Sequence, residues 1–282
     1  MPPSLLEIIQ RTAAYFEKAG LETPRLDAEW LIAGVIGCKR LELFLKFDRP
    51  MEDAILDKLR PLVRRRAQRE PLQHILGTVD FAGLTLKADQ RALIPRPETE
   101  DLIELIRDEA RKPPERILDL GTGSGAIALA LAALWPEASI IAVDRSAEAL
   151  SLARENAELC SLNNITWREG SWFEGLDEPP FDLIVSNPPY LTEAEWESAQ
   201  PEVKEFDPKV ALVAADAGLV DLREILAGAK ACLCPGGLVA LETGIAQHTA
   251  LMTLAEESGF MGIESKADAS GRDRYFFCRA AL

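Results

Sequence analysis

The sequence has little of the residues that bind metals or cross-link secreted proteins. It contains only two histidines, His74 and His248, which argues against a histidine-rich metal site. Its five cysteines are scattered and include no Cys-x-x-Cys pair. This usage is typical of reduced thiols in a cytoplasm and not of a disulfide framework. We therefore expect a cytoplasmic protein without a bound metal.

Long hydrophobic stretches are also missing. The longest uninterrupted apolar run, residues 126–135, is far shorter than the roughly 20 residues that cross a bilayer. The amino terminus lacks the basic region and small-residue cleavage site of a secretory signal, and it does not resemble a transit peptide. These absences predict a bacterial cytoplasmic protein with no membrane partner.

Basic charge is scarce beyond the first 75 residues. Residues 1–75 hold 13 of the 31 Lys and Arg residues and 11 of the 46 Asp and Glu residues. The remainder has 18 basic and 35 acidic side chains, a net charge of −17. Such a region should repel a phosphate backbone. We therefore expect a protein or small-molecule substrate and no direct nucleic-acid substrate.

The apolar pattern divides the chain into three parts. Residues 1–75 have helical apolar spacing, which predicts a small helical domain. Residues 76–92 alternate short apolar pieces with glycines, which predicts a linking β-hairpin. In residues 93–282 strands alternate with helices, which predicts an α/β domain with a mostly parallel sheet. The strands are predicted at residues 117–120, 139–143, 165–168, 181–186 and 238–242, with two more near 263 and at 275–278.

A glycine-rich loop follows the first strand of the α/β part and opens a helix. There the backbone can approach a nucleotide-like ligand closely at a helix N-terminus. Asp144, at the end of the next strand, can accept hydrogen bonds from both ribose hydroxyls. Asp119, just before the loop, is a weaker candidate for contacting a cofactor's ammonium group through water. The spacing fits a dinucleotide or S-adenosylmethionine. The loop residues are Gly121, Thr122, Gly123, Ser124 and Gly125.

A second motif follows the fourth strand and emerges at the carboxyl edge of the sheet, where open α/β folds bind ligands. It consists of Asn187, Pro188, Pro189 and Tyr190. An amide or aromatic amino nitrogen is a weak nucleophile because its lone pair is delocalised. The Asn187 carboxamide oxygen and the Pro188 carbonyl can each accept one N–H, which aims that nitrogen at a methyl donor. The prolines preorganise these acceptors, and Tyr190 offers a flat face for stacking.

Together the two motifs predict an S-adenosylmethionine-dependent methyltransferase that modifies a planar amide or amino nitrogen. The four-residue motif alone leaves a glutamine amide and an adenine amino group as alternatives. A proline-rich turn that merely ends a strand is the structural alternative. A third, non-enzymatic possibility is a cofactor-binding scaffold whose helical domain binds a partner.

The motifs, together with residues 93–100, 24–29 and 77–84, resemble the PrmC/HemK family of peptide chain release factor glutamine methyltransferases. The resemblance spans nearly the whole chain. It implies a Rossmann-like methyltransferase domain whose last strand runs antiparallel, and a small N-terminal helical domain that docks the substrate. It also implies methylation of the side-chain amide nitrogen of the glutamine in the Gly-Gly-Gln motif of release factors.

The resemblance also implies roles for single residues. The glycine loop, Asp144, Trp172 and Asn187 would contact S-adenosylmethionine. The motif from Asn187 to Tyr190 would hold the glutamine, and Phe81 would help to shape its pocket. Core packing is the alternative for Trp172 and Phe81.

Two basic or polar groups carry weaker hypotheses. By resemblance to related methyltransferases, Arg96 and Thr99 would cover the methionine end of the cofactor; the alternative is that they cap and pin the following helix. A cluster of arginines ends a predicted helix, where it either complements the helix dipole or docks an acidic partner or nearby ribosomal RNA. The cluster consists of Arg64, Arg65, Arg66 and Arg69.

Overall fold

The structure is a computed structural model that describes residues 2–178 and 180–282. The chain separates into two compact units. One comprises the residues up to Thr78 together with Pro201–Phe206, and the other comprises Val79–Gln200 and Asp207–Leu282. Within the described ranges, no helix combines the length and the apolar character that a membrane span requires.

The first unit is helical. Its first helix begins at a capping box, in which Ser4 Oγ accepts from the Glu7 N–H and the Glu7 carboxylate accepts from the Ser4 N–H. The apolar faces of the helices meet in one core that includes Leu5, Phe16 and Leu31. The helices are α1 (Leu5–Lys18), α2 (Pro24–Ile36), α3 (Asp53–Ala67) and α4 (Leu72–Leu76), with a 3₁₀ helix at Arg40–Lys46.

Two arginines at the end of α3 bind carboxylates within this unit. Arg66 is buried and donates to Asp27 at 2.7 Å and to Glu202 at 2.9 Å. Arg69 donates to the same Glu202 carboxylate at 2.5 Å. Glu202 lies in Pro201–Phe206, so these ion pairs attach that distant segment to the helices. The sequence pattern did not anticipate this attachment.

These contacts bear on the two alternatives for the arginine cluster. The guanidinium groups of Arg66 and Arg69 are paired with the Glu202 carboxylate, which favours the structural alternative for these two residues. Arg65 forms a two-bond pair with Glu70 at 2.7 and 2.5 Å. Arg64 is exposed. Arg66 and Arg69 therefore contribute to the internal structure of the helical unit, and docking of a partner by Arg64 and Arg65 remains a prediction.

The second unit contains a seven-stranded sheet and a separate two-stranded one. The strands are β1 (Thr78–Phe81), β2 (Leu84–Lys87), β3 (Arg116–Leu120), β4 (Ser139–Asp144), β5 (Ile165–Glu169), β6 (Phe181–Ser186), β7 (Leu233–Glu242), β8 (Met261–Ala267) and β9 (Asp273–Arg279). The remaining helices of the described residues are α5 (Pro97–Glu109), α6 (Ala126–Leu134), α7 (Ala147–Cys160), α8 (Glu193–Glu197), α9 (Pro201–Phe206), α10 (Ala215–Gly218), α11 (Val220–Cys232) and α12 (His248–Glu257), with 3₁₀ turns at Lys209–Ala211 and Ile245–Gln247. Of these, α9 belongs to the first unit.

The large sheet has the strand order β5-β4-β3-β6-β7-β9-β8. Strands β3 to β7 are parallel, and β9 runs antiparallel to both β7 and β8. Along β3, Leu118 and Leu120 pack on the side of α11 and α12, while Ile117 packs on the side of α5 and α6. Helices thus cover both faces of the sheet, which explains why the parallel strands are nearly continuous apolar runs. The Rossmann-like fold and its antiparallel last strand are confirmed.

The strand order reverses between β3 and β6. Along the chain β3 is followed on one side by β4 and β5, and β6 then returns to the other side of β3. In open α/β sheets, ligands bind at the carboxyl ends of the strands at such a reversal. The glycine loop follows β3 and Asn187 follows β6, so both predicted motifs lie there.

Candidate active site

A pocket opens at the carboxyl ends of β3, β4 and β6, and we call it the strand-edge pocket. Eight of the predicted site residues line it: Gly121, Thr122, Gly123, Ser124, Asp144, Trp172, Asn187 and Pro189. Four others do not: Gly125, Pro188, Tyr190 and Phe81. The fold therefore brings most of the predicted cofactor-binding residues to one cavity.

The glycine loop turns tightly out of β3. Gly121 has φ 69°, in the left-handed region, and a Cβ there would lie 3.3 Å from Trp172 Cζ3. A side chain at this position would be strained and would crowd the indole, which keeps the backbone open to a ligand. Gly125 has a different role. It is the N-cap residue of α6 and packs against Trp167, so the packing alternative fits this glycine.

Asp144 is fixed by backbone donors on both sides. Its Oδ2 accepts from the Gly123 N–H at 2.7 Å, and its Oδ1 accepts from the Ser146 N–H at 2.9 Å. Each carboxylate oxygen has a further lone pair, so the group can still accept from two hydroxyls. This arrangement fits the ribose of a nucleoside cofactor.

Asp119 is fully buried beneath the loop. Its Oδ2 accepts from Thr122 Oγ1 at 2.6 Å and from the Ala128 N–H at 3.2 Å, whereas no described residue bonds to its Oδ1. Burial raises the pKa of Asp119 to about 7, the charge of Asp144 adds to the effect, and the two hydrogen bonds oppose it. A cationic group reached through water would favour the charged carboxylate, so Asp119 fits the ammonium end of S-adenosylmethionine.

Trp172 has an unusual backbone conformation. Its φ is 45°, and a left-handed conformation costs a non-glycine residue about 1–2 kcal/mol. Such strain is often concentrated at ligand sites. Its indole lines the pocket beside Gly121. These observations favour the cofactor contact over a purely structural role, although part of the ring also packs against the core.

Asn187 is tied to a buried polar network. Its Nδ2 donates to Thr99 Oγ1 at 3.3 Å, and Thr99 Oγ1 donates to Glu242 Oε2 at 2.7 Å. The other oxygen of Glu242 accepts from the Tyr190 hydroxyl at 3.2 Å. Burial raises the pKa of Glu242, while the Thr99 hydrogen bond, the Arg274 charge and the Tyr190 hydrogen bond oppose that rise. Both ends of the Asn-Pro-Pro-Tyr motif therefore converge on one carboxylate.

The backbone after the two prolines is fixed as well. The Tyr190 carbonyl accepts from Gln247 Nε2 at 2.7 Å, and a Cβ at Gly218 would lie 2.1 Å from that carbonyl oxygen. Burial raises the pKa of the Tyr190 phenol, so it stays protonated. Pro188 is buried. The predicted use of its carbonyl as an acceptor, and of the Tyr190 ring for stacking, remain predictions.

Comparison with known proteins decides the family. The model described as PrmC N-terminal domain matches residues 7–77, and the methyltransferase small domain model matches residues 98–203. The release factor glutamine methyltransferase of Geobacter sulfurreducens is 40% identical over 273 residues, which are 96% of this chain and 95% of that protein. That of Deinococcus radiodurans is 41% identical over 278 residues, 98% and 99% of the two chains.

The chain belongs to the release factor glutamine methyltransferase family. The resemblance drawn from the motifs is thereby confirmed. Among solved structures, a ribosomal protein L11 methylase from Lactobacillus delbrueckii is 26% identical with a TM-score of 0.51, covering 68% of this chain and 82% of that one. Its likeness agrees with the methyltransferase fold.

Two further family expectations have different outcomes. Arg96 lines the pocket and donates to Asp207 at 2.6 Å, which ties the start of α5 to the loop that follows α9. Phe81, expected by resemblance to shape the glutamine pocket, is 1% exposed and lies in the core with Leu86 and Leu102. The core alternative fits these contacts, and contact between Phe81 and a substrate remains a prediction.

Sequence reasoning missed part of the site in this family member. Glu242, Gln247 and Arg274 were not singled out, although they hold the Asn-Pro-Pro-Tyr corner. Glu242 did carry a readable signal, because it ends β7 as Asp144 ends β4. A carboxylate at the carboxyl end of a parallel strand is a site candidate in both places.

Proposed function

We propose that this protein methylates the side-chain amide nitrogen of the glutamine in the Gly-Gly-Gln motif of peptide chain release factors. It is an S-adenosylmethionine-dependent methyltransferase. The observation that carries the proposal is the position of Asn187, which lines the same pocket as the glycine loop and Asp144 while its amide nitrogen is held by Thr99. A planar substrate amide can therefore meet an oriented acceptor beside the cofactor site.

The cofactor site is assigned to residues that fit each part of S-adenosylmethionine. Asp144 would hold the ribose, the backbone of the glycine loop would approach the cofactor, and Asp119 would face the ammonium group through water. Trp172 would contact the adenine side. When bound, the cofactor supplies a sulfonium methyl group, and transfer breaks the S–CH₃ bond, forms an N–CH₃ bond and releases one amide proton to water.

The protein's contribution to the reaction is positioning. Asn187 Oδ1 accepts one N–H of the substrate amide, and the Pro188 carbonyl would accept the other, which aims the nitrogen lone pair towards the methyl group. Tyr190 would stack on the flat amide, with its hydroxyl held by Glu242. Acceptors fixed in advance lower the barrier because they need no reorganisation during the reaction.

The protein substrate is favoured over adenine in nucleic acid. The family relatives are named for release factors, and the part of the chain beyond residue 75 has 35 acidic against 18 basic side chains. A nucleic-acid enzyme of this kind would be expected to present a basic groove.

We further propose that residues 1–75 dock the substrate, that 76–92 form the linking hairpin and 93–282 the catalytic domain, and that the protein works in the cytoplasm.

The test is methyl transfer with a substitution at Asn187. Labelled S-adenosylmethionine should transfer label to a release factor, mass spectrometry should place one methyl on its Gly-Gly-Gln glutamine, and duplex DNA should remain unlabelled. In Asn187→Ala, kcat should fall by about 100-fold or more, because the transition state loses an acceptor. The affinity for cofactor should be largely retained. Label in DNA, or near-normal turnover in Asn187→Ala, would refute the proposal.

A further inference from the structure

The two ends of the Asn187 carboxamide differ in chemistry, and only its oxygen can accept a substrate N–H. In the structure Nδ2 faces Thr99 Oγ1 at 3.3 Å, and no described residue donates to Oδ1. A carboxamide has nearly the same shape in either orientation. Something other than its shape must therefore select the orientation in which the oxygen is free.

The Thr99 hydroxyl supplies that selection. It has one proton, and its oxygen lies 2.7 Å from Glu242 Oε2, inside the protein. An ionised carboxylate can only accept, so the hydroxyl proton is directed to Glu242. The Thr99 oxygen is then left as an acceptor, and it pairs with the Asn187 NH₂. The reversed amide would place two oxygens together with no proton between them.

Glu242 is held as an acceptor from its other side. The Tyr190 hydroxyl donates to Oε1 at 3.2 Å, and Arg274 Nη1 lies 3.7 Å from the same oxygen. Arg274 is in turn held by Asp268 at 3.1 Å. The carboxylate thus has a donor on each oxygen and a guanidinium close by. Burial raises the pKa of Glu242 at this position of 1% exposure, and these groups oppose that rise by stabilising the charged form.

We propose that Thr99 and Glu242 are positioning residues that orient the Asn187 carboxamide, with its nitrogen held and its oxygen free for the substrate amide. The inference rests on the proposed function. Neither residue needs to touch the reacting nitrogen, since each acts through Asn187. The chain of donors runs in one direction, from Asn187 through Thr99 to Glu242.

A matched pair of substitutions at Thr99 tests the orientation. Thr99→Val keeps the shape of the side chain and removes the hydroxyl, whereas Thr99→Ser keeps the hydroxyl and removes the methyl group. We expect kcat for release-factor methylation to fall by about 10-fold to 100-fold in Thr99→Val, because the acceptor is misoriented, with cofactor affinity and KM for release factor little changed. Thr99→Ser should recover most of kcat. Full activity in Thr99→Val, or no recovery in Thr99→Ser, overturns the inference.

A double-substitution cycle separates orientation from a general structural effect. In an Asn187→Ala background the group to be oriented is gone, so Thr99→Val should cause little further loss in single-turnover rate. Equal fractional losses in both backgrounds would overturn the inference. Failure of the wild-type protein to label any release factor would instead contradict the proposed function, and cofactor titration and thermal melting would show whether each variant is folded.

Discussion

Replacing Asp119 by asparagine should change how the stability of the protein depends on pH. Burial raises the pKa of this carboxyl from 3.8 to about 7 in the folded protein. Between those values the folded state binds a proton that the unfolded state has lost. The free energy of unfolding therefore falls as pH rises through this range, and the stability associated with the protonated carboxyl is lost by the time pH passes about 7.

The size of the effect follows from the two pKa values. At 1.36 kcal/mol per pKa unit, the full difference corresponds to about 4 kcal/mol, of which about 2–3 kcal/mol falls between pH 5 and pH 8. Asparagine does not titrate, so the free energy of unfolding of Asp119→Asn should rise by that amount relative to wild type between pH 5 and pH 8. The substitution also places an NH₂ group where Oδ1 has no described partner, at a pH-independent cost of about 1–3 kcal/mol.

The assay is urea unfolding of wild type and Asp119→Asn at several values between pH 5 and pH 8. The decisive quantity is the slope of their difference with pH, because the fixed cost cancels from it. Asp48→Asn, which removes an exposed carboxylate, controls for the loss of one acidic charge. If the two free energies of unfolding differ by the same amount at every pH, the raised pKa of Asp119 is refuted.

Two further substitutions test the glycine loop and the attached segment. Gly121→Ala should weaken cofactor binding by about 10-fold in calorimetry, since it adds left-handed strain of about 1–2 kcal/mol and crowds Trp172. The control is Gly175→Ala, at a left-handed glycine with open space around it. Equal cofactor affinities of Gly121→Ala and wild type would contradict the role of the loop. Glu202→Gln should lower the free energy of unfolding by about 3 kcal/mol, because two arginines lose their carboxylate. The control is Glu205→Gln, which replaces an exposed carboxylate and should leave the free energy of unfolding in chemical denaturation near that of wild type. An equally small change in Glu202→Gln would contradict a stabilising role for the Glu202 ion pairs.

Local features of the sequence were enough to predict the cofactor side of the site. A glycine loop after a buried strand and an acidic residue at the end of the next strand depend on neighbouring residues alone. Gly121 and Asp144 could therefore be assigned before the fold was known, and both line the pocket. Asn187 could be assigned in the same way, because the prolines after it limit the local backbone.

Other features of the site and the fold could be recognised only in the folded chain. Thr99 and Glu242 are 143 residues apart, and Arg66 and Glu202 are 136 apart. No periodicity links such pairs, because their meeting depends on strand order and on which surfaces become buried. The sequence also could not decide the environment of Phe81, because an aromatic side chain suits either a pocket or a core. Packing of the folded chain placed it in the core.

The sequence by itself determined the chemical groups of this protein: a loop whose backbone can approach a ligand, a carboxylate that can accept from hydroxyl groups and a carboxamide on a rigid corner. These properties come from residue type and short-range backbone geometry. The tertiary structure alone decided that β3 and β6 lie side by side, so that the loop and Asn187 line one pocket. It also decided which end of the Asn187 amide is free, because that orientation depends on a buried carboxylate brought in from the end of β7.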